Sequence, residues 1–144
     1  MNEQNLALAS ELRTVIARLT KTMRRKSVWA EKLSLTERST IASINQNGTV
    51  LASKLALMEK ITTQSMSQIL NHLFELGLIT KTPSQTDKRK VLISLSDAGQ
   101  NLLFKSRSEK EEWLNKVLTE HFTSDERELL SKAIAPLTRL VDFD

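Results

Sequence analysis

Apolar residues recur along most of this chain at steps of three and four, the period of an amphipathic helix. Leu8, Leu12, Val15, Ile16 and Leu19 fall on one such stripe, with no Gly or Pro among them, and predict a first helix over about residues 4–28. That segment runs into Arg24-Arg25-Lys26, where cations suit a helix C-terminus. Ser34 and Glu37 have capping-box spacing and predict a second helix, with Thr36 as an alternative cap two residues on. It carries Ile41 and Ile44 inward and stops near Asn47-Gly48. A short helix follows over about 50–57, with Leu51 and Leu55 one turn apart, then a brief connection from Met58 to Ile61. Thr62 caps the next helix, where Met66, Ile69, Leu70 and Leu73 keep the spacing of a buried stripe. Gln64, Ser67, Gln68, Asn71 and Glu75 share its other face, and Gly77 sits where a C-terminal glycine cap belongs.

The period then changes to two. Leu78 to Thr82 is β-prone, Pro83 to Asp87 is turn-rich, and Val91, Ile93 and Leu95 alternate, which predicts a hairpin with the polar tip Ser84-Gln85-Thr86-Asp87-Lys88-Arg89. Helix resumes after Ser96 to about residue 120, with a dilute apolar face of Leu102, Leu103, Trp113, Leu114, Val117 and Leu118. Thr123 and Glu126 form another capping box and open the last helix, which Pro136 is expected to kink or shorten. There is no internal repeat, low-complexity tract or long linker. The fold class is mainly α (α+β), in one continuous unit.

Composition narrows the chemistry. A chain of 144 residues, 40% apolar, is of one-domain size. No apolar run approaches the roughly 18 residues of a membrane span, and the polar N-terminus lacks the pattern of a signal peptide. A cytoplasmic protein is expected. The absence of cysteine removes disulfides, thiolate metal sites and thiol redox sensing. Only His72 and His121 offer imidazole, with no second ligand near either in sequence, so no metal or other cofactor is expected. With no Tyr, no glycine-rich phosphate loop and no His-carboxylate pair in one motif, the inventory does not suit an enzyme. The net charge of +4 is unevenly spread: +4 over residues 1–35, +3 over 36–95 and −3 over 96–144. Such asymmetry suits a nucleic-acid partner.

Two short helices with a four-residue connection, followed at once by a hairpin, make a winged helix-turn-helix. A helix held by its apolar stripe can lie in the DNA major groove with its polar face toward base edges. The residues themselves resemble the MarR family. Leu35-Thr36, Leu55-Ala56, Thr62, Leu73, Gly77-Leu78-Ile79, the Asp87-Lys88-Arg89 tip and Leu95-Ser96-Asp97-Ala98-Gly99 match its pattern in order, over about residues 35–103. The most specific part is the Asp-x-Arg tip, the alternating strand and the Ser-x-x-Gly helix start. The resemblance implies a winged helix-turn-helix core over about 33–95, with dimerisation helices over about 4–28 and 97–144. It implies a bacterial-type transcriptional regulator: a homodimer on a pseudo-palindromic operator in double-stranded DNA, often a repressor.

Within that pattern the fourth helix enters the major groove. Thr62, Thr63, Gln64 and Ser65 at its N-terminal end are placed for phosphates or base edges, and Ser67, Gln68 and Asn71 for base reading, since Asn and Gln can pair with adenine through two hydrogen bonds. His72 is a surface or phosphate-adjacent residue. Arg89 goes to the minor groove with Asp87 fixing its guanidinium, and Lys88 and Lys90 meet phosphates. Two positions depart from the family: residue 68 is Gln where Arg is common, and residue 71 is Asn where Asp is common. Without a permanent cation on the recognition helix, electrostatic affinity shifts to the wing, Arg38, Lys54 and Lys60. Apolar stripes at both chain ends predict dimer contacts between Leu8, Leu12 and Val15 and Leu129, Ile134, Leu137 and Leu140. Trp29 and Trp113 are most simply packing residues, although the family can bind small aromatic or acidic ligands at the joint that either could line. The alternative reading is a winged-helix module that docks a protein partner without binding DNA.

Overall fold

A computed structural model describes residues 2–27, 29 and 32–144. The elements run α1 (Glu3–Arg24), α2 (Leu35–Asn47), β1 (Thr49–Leu51), α3 (Ala52–Met58), α4 (Thr63–Glu75), β2 (Ile79–Pro83), β3 (Val91–Leu95), α5 (Asp97–His121) and α6 (Ser124–Val141). The architecture is mainly helical, with an antiparallel sheet of order β1-β3-β2. Among the described residues no helix is long and apolar enough to cross a membrane.

The expected caps are in place. Ser34 and Glu37 close a reciprocal capping box on α2, so Ser34 rather than Thr36 is the cap, and Thr123 and Glu126 do the same for α6. Thr62 accepts a hydrogen bond from the Ser65 amide at the start of α4. Gly77 (φ 75°) ends α4 in the left-handed conformation, with its N–H on the Phe74 carbonyl and that of Leu78 on Leu73. This is a Schellman ending, in which an L side chain would meet its own backbone.

Several boundaries differ from the sequence expectation. The first helix ends at Arg24, not near 28. The amides of Arg25, Lys26 and Ser27 turn back three residues, onto Thr22, Met23 and Arg24, which tightens the chain out of the helix. The turn carries Ser27 inward to hydrogen-bond Ser106 of α5 and delivers Trp29 to the core. Val28 lies outside the described residues. The helix expected over 50–57 begins at Ala52, because Thr49–Leu51 is a strand paired with β3. Thr49 and Ser94 bond across that pair at 2.8 Å while Val50 is buried, so pairing wins over helix for these residues. Pro136 does not shorten α6, which continues to Val141.

The core is assembled where α2, α3, α4 and the sheet meet. Ile41, Ile44, Leu55, Met66, Leu73 and Ile93 are essentially fully buried, and Trp29 and Leu103 extend the same cluster beyond both ends of the 33–95 segment. Neither α1 nor α6 contributes a buried residue.

Candidate nucleic-acid interface

The turn between α3 and α4 is set by backbone chemistry. The Ile61 amide bonds the Ala56 carbonyl and that of Lys60 bonds Leu57, with Lys60 held at φ 56°. Glu59 at the end of α3 accepts hydrogen bonds from Ser39 and Ser43 of α2 at 2.8–3.0 Å, which fixes α3 against the helix behind it. On α4, Met66, Leu70 and Leu73 face the core, while Thr63, Gln64, Ser65, Ser67 and Gln68 are exposed. The sequence-predicted reading face is thus turned outward. Lys54, on α3, is exposed as well.

The wing tip is ordered by side chains caught on backbone. The Ser84 hydroxyl accepts from the amides of Thr86 and Asp87, and the Ser84 and Lys90 amides close the loop onto Lys90 and Asp87 carbonyls at 2.8 and 2.9 Å. Asp87 Oδ1 accepts the Arg89 backbone N–H at 3.0 Å and its Nε–H at 3.3 Å. This is the expected Asp-Arg arrangement, with the guanidinium side chain 92% exposed and free to meet an anion. Lys88 and Lys90 are exposed beside it.

Three further expected DNA-facing residues have partners on other elements or on the backbone. Lys81 of β2 donates to Asn71 Oδ1 at 2.6 Å and stands 5.0 Å from the Phe74 ring centre, so Asn71 ties the recognition helix to the root of the wing. His72 stands nine residues beyond Thr63, about 13 Å farther along the helix axis. Its Nδ1 is hydrogen-bonded to Glu37 Oε2. The carboxylate of Glu37 can only accept, so Nδ1 carries the proton. The other Glu37 oxygen accepts from the Ser34 amide at 2.9 Å. Burial alone would raise the Glu37 pKa, but the hydrogen bonds from Ser34 and His72, with the imidazole's charge, hold it below the ordinary 4.5. Sequence spacing could not reveal this pair, since its members are 35 residues apart.

Arg38 is the third. It lines a cavity of about 310 Å³ between α1, α2 and α5, together with Thr20, Met23, Arg24, Trp29, Leu35, Ser39, Ala42, Leu103, Arg107 and Lys110. Its Nε–H reaches the Ser34 carbonyl at 3.4 Å, while Nη1 is buried without a partner among the described residues. Trp29 Nε1, in the same lining, is also buried and unpartnered among the described residues. Desolvation and the neighbouring Arg24 lower the Arg38 pKa; desolvation and then Arg38, Arg107 and Arg24 lower that of Lys110. Cations crowd this cavity, and among the described residues no carboxylate lines it. Trp113 does not share it: with Val15, Arg18, Leu19 and Thr22 it lines a separate depression of about 250 Å³, and Lys26 Nζ lies 5.5 Å from its ring centre.

At the chain ends, Leu8, Val15, Leu129, Ile134, Leu137 and Leu140 are exposed on α1 and α6, and Leu12 is half-buried. Each of the two helices thus leaves apolar side chains exposed in the single chain.

Residues 33–91 match the family model described as the MarR family. The chain is 28% identical over 143 residues to an HTH-type transcriptional regulator of Mycobacterium leprae, a match covering 99% of this chain and 98% of the relative. The crystal structure of a proposed transcriptional regulator from Pseudomonas aeruginosa is 30% identical, covers 99% of this chain and 100% of its own, and superposes with a TM-score of 0.89. Wild-type MarR from Escherichia coli shares the fold at 19% identity and a TM-score of 0.68, over 88% of this chain and 95% of its own. So does a mutant of Staphylococcus aureus MepR bound to an oligodeoxyribonucleotide, at 19% identity, a TM-score of 0.70 and coverage of 94% and 96%.

Proposed function

The chain belongs to the MarR family of winged helix-turn-helix transcriptional regulators, and from that premise we propose that it works as a homodimeric repressor on a pseudo-palindromic site in double-stranded DNA. The observation that carries the reading is the exposed polar face of α4 beside the exposed Arg89 guanidinium of an ordered wing tip. In the proposed complex Thr62, Thr63, Gln64 and Ser65 meet the groove with the positive end of α4. Ser67 and Gln68 read base edges. Arg89 enters the minor groove, and Lys54, Lys88 and Lys90 bind phosphates. Asn71 and His72, already engaged by Lys81 and Glu37, hold the helix in place rather than read sequence.

The exposed apolar faces of α1 and α6 support a second copy of this chain as their cover, and a two-fold pair carries one recognition helix for each half-site of a palindrome. The cation-lined cavity supports a small organic anion with an apolar body as the ligand that relieves repression: Met23, Leu35 and Leu103 would meet the body, and the buried Arg38 and Trp29 donors, without a partner among the described residues, would meet the charge. Selection of bound sequences from random duplex DNA tests the DNA reading. Recovery of an inverted repeat is expected; retention of no duplex at low salt would overturn it and favour a protein-docking module.

A further inference from the structure

Alternate residues of a strand share one face, so Ile79 and Lys81 lie on the same side of β2. Ile79 is buried in the core, and Lys81, half-buried, stands where a second apolar residue would continue that face. Its cross-strand partner Ile93 is buried as well. The ammonium is caught on α4: Nζ donates to Asn71 Oδ1 at 2.6 Å and lies 5.0 Å from the Phe74 ring centre. Asn71 and Phe74 are neighbours on the helix surface, so one side chain of the sheet grips two points of the recognition helix. The same side chain borders a hollow of about 120 Å³ between Ser67, Leu70 and Asn71 of α4 and Lys81, Val91 and Ile93 of the sheet. Where apolar side chains leave such a gap, non-directional burial does not set the angle between helix and sheet. A charge-assisted hydrogen bond does. This strap stands between the two proposed readers. Gln68 precedes Asn71 by three residues on α4, and Lys81 lies two residues before the end of the strand that leads into the Asp87–Arg89 tip.

We propose that Lys81 is a specificity-determining positioning residue: through Asn71 and Phe74 it holds recognition helix and wing at the angle that lets Gln68 reach its base while Arg89 occupies the minor groove. This rests on the DNA reading given above. α4 carries no Lys or Arg of its own, yet the ammonium beside it is engaged by the helix rather than by phosphate. Scrambled duplexes offer the backbone contacts, which carry no sequence information, and do not require the angle. The operator does.

The test measures affinity of the full-length protein for the duplex recovered by selection and for a scrambled duplex of equal length, at two salt concentrations. Lys81→Met keeps the unbranched stem and removes the ammonium. It is expected to weaken operator binding by about fivefold or more, the lower end of one bidentate base contact, and to leave scrambled binding and the salt slope nearly unchanged. Asn71→Ala, at an exposed position, should reproduce the loss, and the double variant should add nothing to it. Asn71→Asp keeps an acceptor for Lys81 and should retain the operator preference. The ratio of operator to scrambled affinity is the readout, because a variant that merely folds less well loses both in proportion. An unchanged ratio in Lys81→Met overturns the proposal. Equal weakening of both duplexes, with a slope lower by about one, does so too and makes Lys81 a phosphate ligand. Additive losses in the double variant, or a ratio as low in Asn71→Asp as in Asn71→Ala, would return Asn71 to base reading and overturn it as well. A parent chain that retains no duplex at low salt overturns the DNA reading itself, and the proposal with it.

Discussion

A β-carbon placed on Gly99 would lie 2.1 Å from the carbonyl oxygen of Leu78. The same carbonyl accepts the Ser96 amide at 3.0 Å, and the Ser96 hydroxyl bonds the Gly77 carbonyl at 2.5 Å. The end of the recognition helix, the entry to the wing and the first turn of α5 are therefore joined at one point, and the Ser-x-x-Gly pattern is the steric condition for the joint. Because the obstacle is backbone, the chain must move to admit even a methyl group. Gly99→Ala should lower stability by roughly 1–3 kcal/mol, the usual cost of overpacking, despite alanine's better helix propensity. Equilibrium denaturation checks it; an unchanged or raised midpoint would show that the joint gives way freely.

Much of this was legible in the chain because it depends on neighbours. Caps at Ser34, Thr62, Ser96 and Thr123, the glycine end at 77 and the Asp87–Arg89 tip are all set by residues within a few positions of one another. The apolar stripe of α4 likewise reads directly as a buried face. What the sequence hid was long-range. β1 consists of three residues whose strand state depends on β3. Arg38 looks like any helix-surface cation until α1 and α5 close a cavity over it. The partners of Asn71 and His72, Lys81 and Glu37, come from other elements, and only folding shows that these polar side chains on a reading helix are already engaged.

The wing and the recognition helix should divide affinity from sequence reading. Arg89→Ala is expected to weaken binding to every duplex and to reduce the salt dependence by about one unit of slope for each phosphate the guanidinium neutralised. Gln68→Ala releases no counterion, so its cost, about 1–3 kcal/mol for a bidentate pair, should fall on the preferred site alone. Gel-shift titrations on operator and scrambled DNA at two salt concentrations separate these outcomes. Equal weakening of both duplexes by Gln68→Ala would remove it from base reading.

Ile134→Glu places a carboxylate in the middle of the α6 apolar face, where Ile134 is 61% exposed in the single chain. Nothing in the monomer's core should suffer, since α6 buries none of its residues there. A dimer interface that buries this face would have to desolvate the charge. Sedimentation should therefore shift toward monomer, and operator affinity should fall with it. An unaltered dimer would place the interface elsewhere; a parent protein that is monomeric at micromolar concentration would remove the dimer reading.

Acid should undo the Glu37 bridge. Its folded pKa lies below the ordinary 4.5, so the folded state holds the ionised carboxylate more favourably than the unfolded chain does. The stabilisation is complete above that ordinary value and is lost as pH falls through the lower folded value. Glu37→Gln keeps a residue type that suits the capping box but removes the charge facing His72. The variant should be less stable than the parent at neutral pH, with the gap closing as pH drops below 4.5. Urea titrations at several pH values would detect it, and a gap independent of pH would assign the loss to packing instead.

Lys110 should show the opposite sign. Desolvation and the nearby Arg38, Arg107 and Arg24 disfavour its ammonium in the folded state, so its pKa lies below the ordinary 10.5. At neutral pH both folded and unfolded chains carry the proton, and the fold bears the whole cost of the crowded charge. That cost disappears as pH rises through the folded value, where the unfolded chain binds the extra proton. Lys110→Met retains an unbranched apolar stem and removes the charge. It should therefore raise stability at neutral pH, with the advantage shrinking as pH approaches 10.5. Sulfate, a compact dianion, should stabilise the parent more than the variant, because only the parent has the full cation cluster to neutralise. Thermal unfolding with and without sulfate, at matched ionic strength set with chloride, isolates the effect from general screening. If Lys110→Met is no more stable than the parent and gains as much from sulfate, the cations around this cavity are adequately hydrated, and the physical reason for an anion to enter it is gone.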